Sequence, residues 1–319
     1  MDHLNHHGLE REPFSNAPVG RFYFDCEDHR QAVLRLNHTL RSMRGLALVV
    51  GEIGAGKTTL ARRLLDALPE HEFEAALLVV IHRDVTPDWL LRRLAVQLGV
   101  EQPHADKLAL LSQLYRRLGA LHEQGKKAVV LVDEAQMLAT RELMEEFRGL
   151  LNLEVPERKL LSFVFFGLPE LEQNLKLDPP LAQRVAQVVR LGPMDLETML
   201  AYVEHRMRLA GARRDIIPEE SLRMAHYASR GFPRVVNTVC DNFLLESALV
   251  GQSTVTPDLA RVVIRNLGLP LLEQAPVPTA QKLPVLRGEP LGLTDPPVDA
   301  ETARALEEID RILASFDEA

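Results

Sequence analysis

Residues able to bind phosphate and a divalent metal lie in one short segment. Residues 46–50 are apolar, and the chain then reads Gly-Glu-Ile-Gly-Ala-Gly-Lys-Thr-Thr from Gly51 to Thr59. The glycines permit backbone angles that turn successive N–H groups toward the phosphates of a nucleotide. Lys57 adds a positive charge, Thr58 offers a hydroxyl to Mg²⁺, and a helix beginning here directs its positive end at the anion. The predicted nucleotide-binding residues are Gly51, Glu52, Ile53, Gly54, Ala55, Gly56, Lys57, Thr58 and Thr59.

A second apolar segment ends in two carboxylates. Residues 128–132 read as a buried strand, and Asp133 and Glu134 follow it directly. Downstream of a phosphate-binding loop, Asp133 is placed to hold Mg²⁺, and Glu134 is placed to orient and deprotonate a water molecule. The alternative is an ordinary solvated strand end. The pairing of the two segments predicts Mg²⁺-dependent hydrolysis of ATP.

Composition limits the class of protein. The chain has 319 residues, 46% of them hydrophobic, and two cysteines, which excludes a disulfide framework and fits a reducing compartment. No stretch is long enough to span a membrane and no signal-peptide pattern opens the chain, so a cytoplasmic protein without direct membrane insertion is predicted. The formal net charge of −8 disfavours a nucleic-acid coating protein. For His3, His6 and His7, a mobile polar terminus is favoured over a metal site.

Strands and helices alternate through the first part of the chain. The predicted strands span residues 46–50, 75–81, 128–132, 160–166 and 185–191. Helical patterns separate most of them, and the leucine stripe of the helix predicted at 105–123 is interpreted as core packing. The pattern predicts an α/β fold with a five-stranded, mostly parallel sheet.

Four regions are predicted from changes in this pattern. Residues 1–192 form an N-terminal segment and the α/β core, and residues 193–268 form a small all-helical lid. Residues 269–298 are rich in proline and read as an extended linker. Residues 299–319 regain helical spacing through Leu306, Ile309, Leu313 and Phe316. This terminal helix either docks on a partner or packs back on its own chain.

Six motifs, in order, resemble an AAA+ ATPase of the general secretion pathway protein A (ExeA-type) family, which is related to the TniB and TnsC transposition ATPases. The resemblance spans roughly residues 1–268. The motifs are the series from His7-Gly8-Leu9 through Pro13-Phe14-Ser15, Arg21-Phe22, His29-Arg30 and Leu34, then Gly51 to Thr59, Asp133-Glu134-Ala135-Gln136, Gly167-Leu168-Pro169-Glu170-Leu171, Leu181-Ala182-Gln183-Arg184, and Gly231-Phe232-Pro233-Arg234-Val235-Val236-Asn237.

The resemblance implies roles for two more arginines. Arg184 matches the family's arginine finger, which reaches a nucleotide bound by a neighbouring subunit, and Arg234 matches its sensor-2 arginine. Without the resemblance, a surface salt bridge would be preferred for each.

Two positions depart from the family. Leu168 replaces a glutamine, which puts a polar sensor there in doubt, and His82 stands near a usual asparagine. His82 either restrains Glu134 or is an exposed loop histidine, and the second reading is favoured.

Two classes of function remain. The first is an oligomeric cytoplasmic ATPase that powers or switches an envelope secretion, export or filament-assembly machine, contacted through the lid or the C-terminal helix and held near the inner membrane by a partner. The second is a DNA-binding ATPase regulator of the transposition type. The acidic balance favours the first. A nucleotide-gated scaffold with negligible turnover is a third reading, because of Leu168.

Overall fold

A five-stranded parallel sheet forms the centre of the molecule. The computed structural model describes residues 3–16, 20–156 and 158–271. The strands of this sheet and of a small hairpin are β1 Leu46–Gly51, β2 Phe73–Val79, β3 Lys127–Asp133, β4 Glu154–Val155, β5 Arg158–Lys159, β6 Leu161–Gly167 and β7 Val185–Leu191.

The strand order is β2-β3-β6-β1-β7, and every pairing within this sheet is parallel. β1 lies between β6 and β7, with Leu46 opposite Phe163 on one side and Val185 on the other. The predicted α/β fold is therefore confirmed. β2 begins and ends two residues earlier than expected, and the hairpin β4–β5 was not predicted, because strands of two residues are too short to show a period.

Helices cover both faces of the sheet. The helices of the described residues are α1 His3–His7, α2 Glu27–Arg41, α3 Lys57–Asp66, α4 Pro87–Gln97, α5 Lys107–Glu123, α6 Arg141–Leu150, α7 Glu170–Asn174, α8 Pro179–Ala182, α9 Leu196–Leu209, α10 Glu219–Ser229, α11 Pro233–Leu249 and α12 Pro257–Asn266, and those that pack on the sheet are α2 to α8. Helix α6 was not predicted. Thr140 caps it by accepting from the N–H of Leu143, and its buried face packs Phe147 edge-on against Phe163 and Phe165 with ring centroids 5.0 and 4.8 Å apart.

The core of the sheet is divided between its two faces. Leu48, Val130 and Phe163 belong to the cluster that packs against α4, α5 and α6, and Ala47, Val129 and Val164 belong to the cluster that packs against α2 and α3. Alternate residues of one strand point to opposite faces, so β3 is apolar over residues 128–132 and β6 over residues 163–166. This double covering leaves the carboxyl ends of the strands as the open edge.

A second body of helices follows the sheet. Helices α9 to α12 surround their own apolar cluster, which includes Met199, Val236 and Phe243. Leu9 and Phe14, from the start of the chain, are buried in the same cluster. The N-terminal segment of residues 3–16, called here the N-terminal strap, is therefore part of the helical body.

Buried polar contacts fix this strap. Arg206 on α9 donates to the carbonyl oxygens of Pro13 and Ser15 and to the Tyr202 hydroxyl. Nε2 of His7 lies 3.0 Å from both the Leu244 carbonyl oxygen and the Ser247 hydroxyl. Burial lowers the pKa of His7. The expectation of a mobile polar terminus is wrong, because these histidines form a helix that packs on α11.

The predicted proline-rich linker and terminal helix lie outside the described residues, apart from the first few positions of the linker. Across residues 3–16, 20–156 and 158–271, we find no helix with the length and apolar character needed to cross a membrane.

Candidate nucleotide site

A cavity of about 730 Å³ opens where β1 and β3 end. Its walls come from the loop before α3, the segments that follow β3, β6 and β7, residues 15 and 16, the chain around the start of α2, and the helical body. Its volume is typical of pockets that hold a small organic ligand.

The glycine-rich loop wraps one end of this cavity. Gly54 and Gly56 have φ angles of +82° and +94°, which side chains rarely adopt, and Gly56 immediately precedes α3. Lys57 is 8% exposed, and its Nζ donates to the carbonyl oxygens of Gly51 and Glu52 at 2.8 and 2.9 Å. Burial lowers the pKa of Lys57, and the carboxylates of Glu134 and Asp133 oppose that shift. The loop thus holds a lysine ammonium against its own carbonyl oxygens, beside the cavity in which a phosphate would bind.

Asp133 and Thr58 lie together beside Lys57. Asp133 is 2% exposed, forms a hydrogen bond with the Thr58 side chain, and accepts from the N–H of Glu134 at 2.9 Å. Burial raises the pKa of Asp133, while the hydrogen bond from Thr58 opposes the rise. A carboxylate and a hydroxyl are hard oxygen ligands of the kind that Mg²⁺ takes alongside phosphate. The donor set therefore fits Mg²⁺.

Glu134 stands at the turn that follows β3. Its φ angle is +56°, and its carboxylate accepts from Nε2 of Gln136 at 2.5 Å. His82 is an exposed loop residue whose ring centroid lies 6.4 Å from that of Trp89, which agrees with the favoured reading of that position. Gln136 closes the motif Asp133 to Gln136, but nothing in that motif predicts its contact with Glu134.

The two predicted arginines take different positions. Arg234 lines the cavity, and its N–H donates to the carbonyl oxygen of Gly54 at 3.3 Å. Arg184 is absent from the lining of the cavity, and its guanidinium donates to the carbonyl oxygen of Arg148 at 3.2 Å. The structure therefore brings Lys57, Thr58, Asp133, Glu134 and Arg234 to one site and leaves Arg184 outside it.

An aromatic pair lies beside the glycine-rich loop. Tyr23 stacks with His29 at a centroid distance of 5.9 Å, and both side chains line the cavity. A Cβ on Gly56 would lie 3.3 Å from the His29 ring, so this ring packs directly on the loop. In the sequence Tyr23 is only one of several N-terminal aromatics, and no spacing rule points to His29.

The sheet order and the contents of this cavity define the class of protein: it is an AAA+ ATPase. A family model described as an AAA domain matches residues 40–175. The ADP form of the ORC2 protein of Aeropyrum pernix superposes with a TM-score of 0.61 at 16% identity, covering 80% of this chain and 72% of that one. Cdc6p from Pyrobaculum aerophilum gives 0.60 at 18%, covering 80% and 70%. These structures share the fold.

Within this class, the chain resembles General secretion pathway protein A of Aeromonas hydrophila. The two are 37% identical over 241 residues, which is 75% of this chain. The match spans 43% of that relative, so this chain corresponds to less than half of its length. The predicted resemblance is confirmed.

Proposed function

We propose that this chain is a Mg²⁺-dependent ATP hydrolase that works as a cytoplasmic homo-oligomer and serves an envelope secretion, export or filament-assembly machine. The observation that carries the catalytic part is that Lys57, Thr58 and Glu134 line one cavity and that the buried Asp133 carboxylate lies directly behind them, in contact with Thr58 and with the N–H of Glu134.

Each of these residues has a role in the proposed reaction. The N–H groups from Gly51 to Thr59 and the ammonium of Lys57 bind the phosphates, Lys57 exchanging its two carbonyl partners for phosphate oxygens. Thr58 and Asp133 hold Mg²⁺, which neutralises charge on the phosphates. Glu134 orients the attacking water and accepts its proton. Arg234, fixed against Gly54, places a guanidinium at the lid side of the same cavity.

Arg184 completes a neighbour's site in this proposal. Two observations support that role. Arg184 does not line its own cavity. The helix just ahead of Arg184 is capped by Asp178, which is 4% exposed. Arg148 pairs with Asp178 at 2.8 Å and also accepts the Arg184 guanidinium through its carbonyl oxygen. A guanidinium held at the surface in this way stabilises transition-state charge on a nucleotide bound by another subunit.

The machine role rests on the similarity to General secretion pathway protein A. Since this chain matches 43% of that protein, we assign it the ATPase part only. Contact with the machine would run through the lid or the C-terminal segment, which would place the ATPase at the inner membrane through a partner. The machine role is tested by crosslinking the Glu134→Gln protein in cells and identifying the captured proteins. Recovery of envelope machine components is expected, and recovery of DNA-transaction proteins alone would contradict the assignment.

A DNA-binding regulator of the transposition type is the second candidate. The ORC1 protein of Aeropyrum pernix, solved in complex with DNA, superposes with a TM-score of 0.57 at 18% identity, which shows a shared fold. The net charge of −8 argues against extensive phosphate contact. ATP-dependent retention of labelled DNA on a filter separates the two candidates, and we expect none above the level of an acidic control protein.

The hydrolysis itself is tested by phosphate release from the purified protein with ATP. We expect turnover that needs Mg²⁺ and stops when EDTA is added. A protein that binds ATP at full occupancy and releases no phosphate would support the scaffold reading instead.

A further inference from the structure

We propose that Gln136 is a positioning residue that fixes the Glu134 carboxylate and ties it to the end of β6, where it supplies the polar side chain that Leu168 lacks. This inference rests on the catalytic role proposed for Glu134.

Gln136 is a buried polar side chain in the wall of the cavity, where Met137 and Leu168 are apolar. It is 8% exposed and lines the nucleotide cavity together with Glu134, Met137 and Leu168. Its Nε2 donates to the Glu134 carboxylate at 2.5 Å, and its Oε1 accepts from the N–H of Leu168 at 3.1 Å. One amide therefore bridges the turn after β3 and the turn after β6.

The chemistry of both partners fixes which way this amide points. An ionised carboxylate only accepts and a backbone N–H only donates, so the amide must turn its NH₂ group to Glu134 and its oxygen to Leu168. A glutamate at position 136 would face Glu134 with a second acceptor, and an aliphatic residue would satisfy neither partner. Among side chains of this length, only an amide satisfies both.

The surroundings leave the bridge little freedom. The carbonyl oxygen of Gln136 accepts from Nδ2 of Asn174 at 2.9 Å, which holds its main chain. A Cβ on Gly167 would come within 3.0 Å of Gln136 Oε1, so the amide packs directly against the last residue of β6. The position of the Glu134 carboxylate thereby depends on where β6 ends, although residue 168 itself contributes only its N–H.

Steady-state kinetics of Gln136→Ala provide the test. We expect kcat for ATP hydrolysis to fall about tenfold or more, since a base that is not held at the water loses part of its effect. KM for ATP and the Kd for a fluorescent ATP analogue should change less than about threefold, because the phosphate cradle is untouched. Gln97→Ala is the matched control: that amide is also partly buried and bonded to a carbonyl oxygen, Leu77 O, but lies outside the cavity.

Gln136→Glu adds a readout that a purely structural role would not move. It keeps the length of the side chain but presents an acceptor where the Glu134 carboxylate needs a donor, so kcat should fall as it does in Gln136→Ala while KM for ATP and the Kd of the ATP analogue stay within about threefold of the wild type. Wild-type kcat in Gln136→Ala would overturn the inference. Parallel loss of melting temperature and ATP binding in both variants would show a structural role and would also overturn it. If Glu134→Gln retains full turnover, the proposed catalytic role fails instead.

Discussion

The Lys57 ammonium is already buried beside the site where a nucleotide phosphate would bind. The hydrogen bonds it makes are to carbonyl oxygens of its own loop. Burial of a charge costs free energy unless strong partners compensate, and carbonyl oxygens compensate less than phosphate oxygens do. Lys57 therefore gains most when a nucleotide is bound, and its loss should act on binding before it acts on turnover.

Two variants separate binding from chemistry. Lys57→Ala should lose ATP affinity by on the order of 100-fold, since it removes a charge-assisted contact to phosphate. Glu134→Gln should bind ATP within about threefold of the wild type and lose turnover by on the order of 100-fold or more, because the base is removed and the cradle is kept. Isothermal titration and phosphate release measure the two effects. Equal loss of affinity in both variants would contradict these roles.

Asp133 gives a prediction about pH and stability. Its pKa is raised by burial, so the native state binds a proton more readily than the unfolded chain does. The stability linked to this residue is therefore present at low pH and is lost as the pH rises through the raised pKa. At pH 7 without nucleotide, the buried charge is a cost.

Asp133→Asn removes that charge, keeps one oxygen that can accept from the N–H of Glu134, and offers an NH₂ group that can donate to the Thr58 hydroxyl. Its melting temperature at pH 7 should exceed that of the wild type by roughly 2–4 °C, the shift expected for about 1 kcal/mol in a protein of this size. The difference should shrink as the pH is lowered, while Mg²⁺-dependent hydrolysis is lost. A variant less stable than the wild type at pH 7 would refute the burial argument.

At the scale of elements, the sequence predicts what periodicity and motif spacing can encode. The strands of the main sheet and helices such as α9 and α12 follow from apolar patterns and from caps such as Asp195 and Thr256. Short elements do not: α7, α8 and the hairpin β4–β5 are shorter than the window in which a period can be seen.

Contacts between distant segments also cannot be predicted from the sequence. The bridge from Gln136 to Leu168 joins residues 32 apart through one main-chain N–H, which no side-chain motif reports. The contact of Arg206 with Pro13 crosses 193 residues and uses a main-chain carbonyl oxygen. Patterns of side chains therefore locate the phosphate-binding loop and the two carboxylates, whereas the position of Gln136 depends on a contact with the main chain.

Gly231 provides a prediction about the joint between sheet and lid. Its φ angle is +74°, and a Cβ there would clash with the Met194 carbonyl oxygen, in the link that leads from β7 to α9. Gly231→Ala should destabilise the protein by on the order of 3 kcal/mol and weaken ATP binding, since Arg234 follows three residues later.

Gly251→Ala is the control for that joint. Its φ angle of +70° is similar and nothing lies within 4 Å of the place that its Cβ would take, so only the backbone strain of roughly 1–2 kcal/mol should appear. Chemical denaturation measures both variants. Equal losses would show that the contact with Met194 contributes nothing.

At the scale of the whole molecule, the role proposed for Arg184 predicts that activity depends on assembly. Specific activity should rise with protein concentration, and Arg184→Ala alone should be nearly inactive. Mixing Arg184→Ala with Glu134→Gln should restore part of the rate, because some interfaces regain one complete site. Phosphate release across a range of mixing ratios measures this. Full activity in a monomer, verified by light scattering, would exclude a role in trans.

The C-terminal segment makes a different prediction at this scale. Leu269 and Leu271 still pack against the helical cluster, so a truncation after Leu271 preserves the described contacts. Basal ATPase activity and melting temperature should stay near those of the full chain, while function in the cell is lost if residues 299–319 dock on a partner. Replacing Ile309 and Leu313 together with serine should have the same effect in cells. A large fall in melting temperature on truncation would show that the segment packs on its own chain.

The N-terminal strap also bears on how the protein is made. His7 reaches its partner Leu244 across 237 residues, a stretch that a ribosome needs roughly 10–50 s to synthesise. All the strands of the main sheet, which end at Leu191, emerge before the helix that carries Leu244 exists. Until α9 has emerged, Leu9 and Phe14 lack the apolar cluster that buries them, and the cluster is complete only after α12. We therefore expect the nascent chain to carry a folded sheet while the apolar residues of the N-terminal strap are still exposed. A chaperone can bind the strap during this stage of translation.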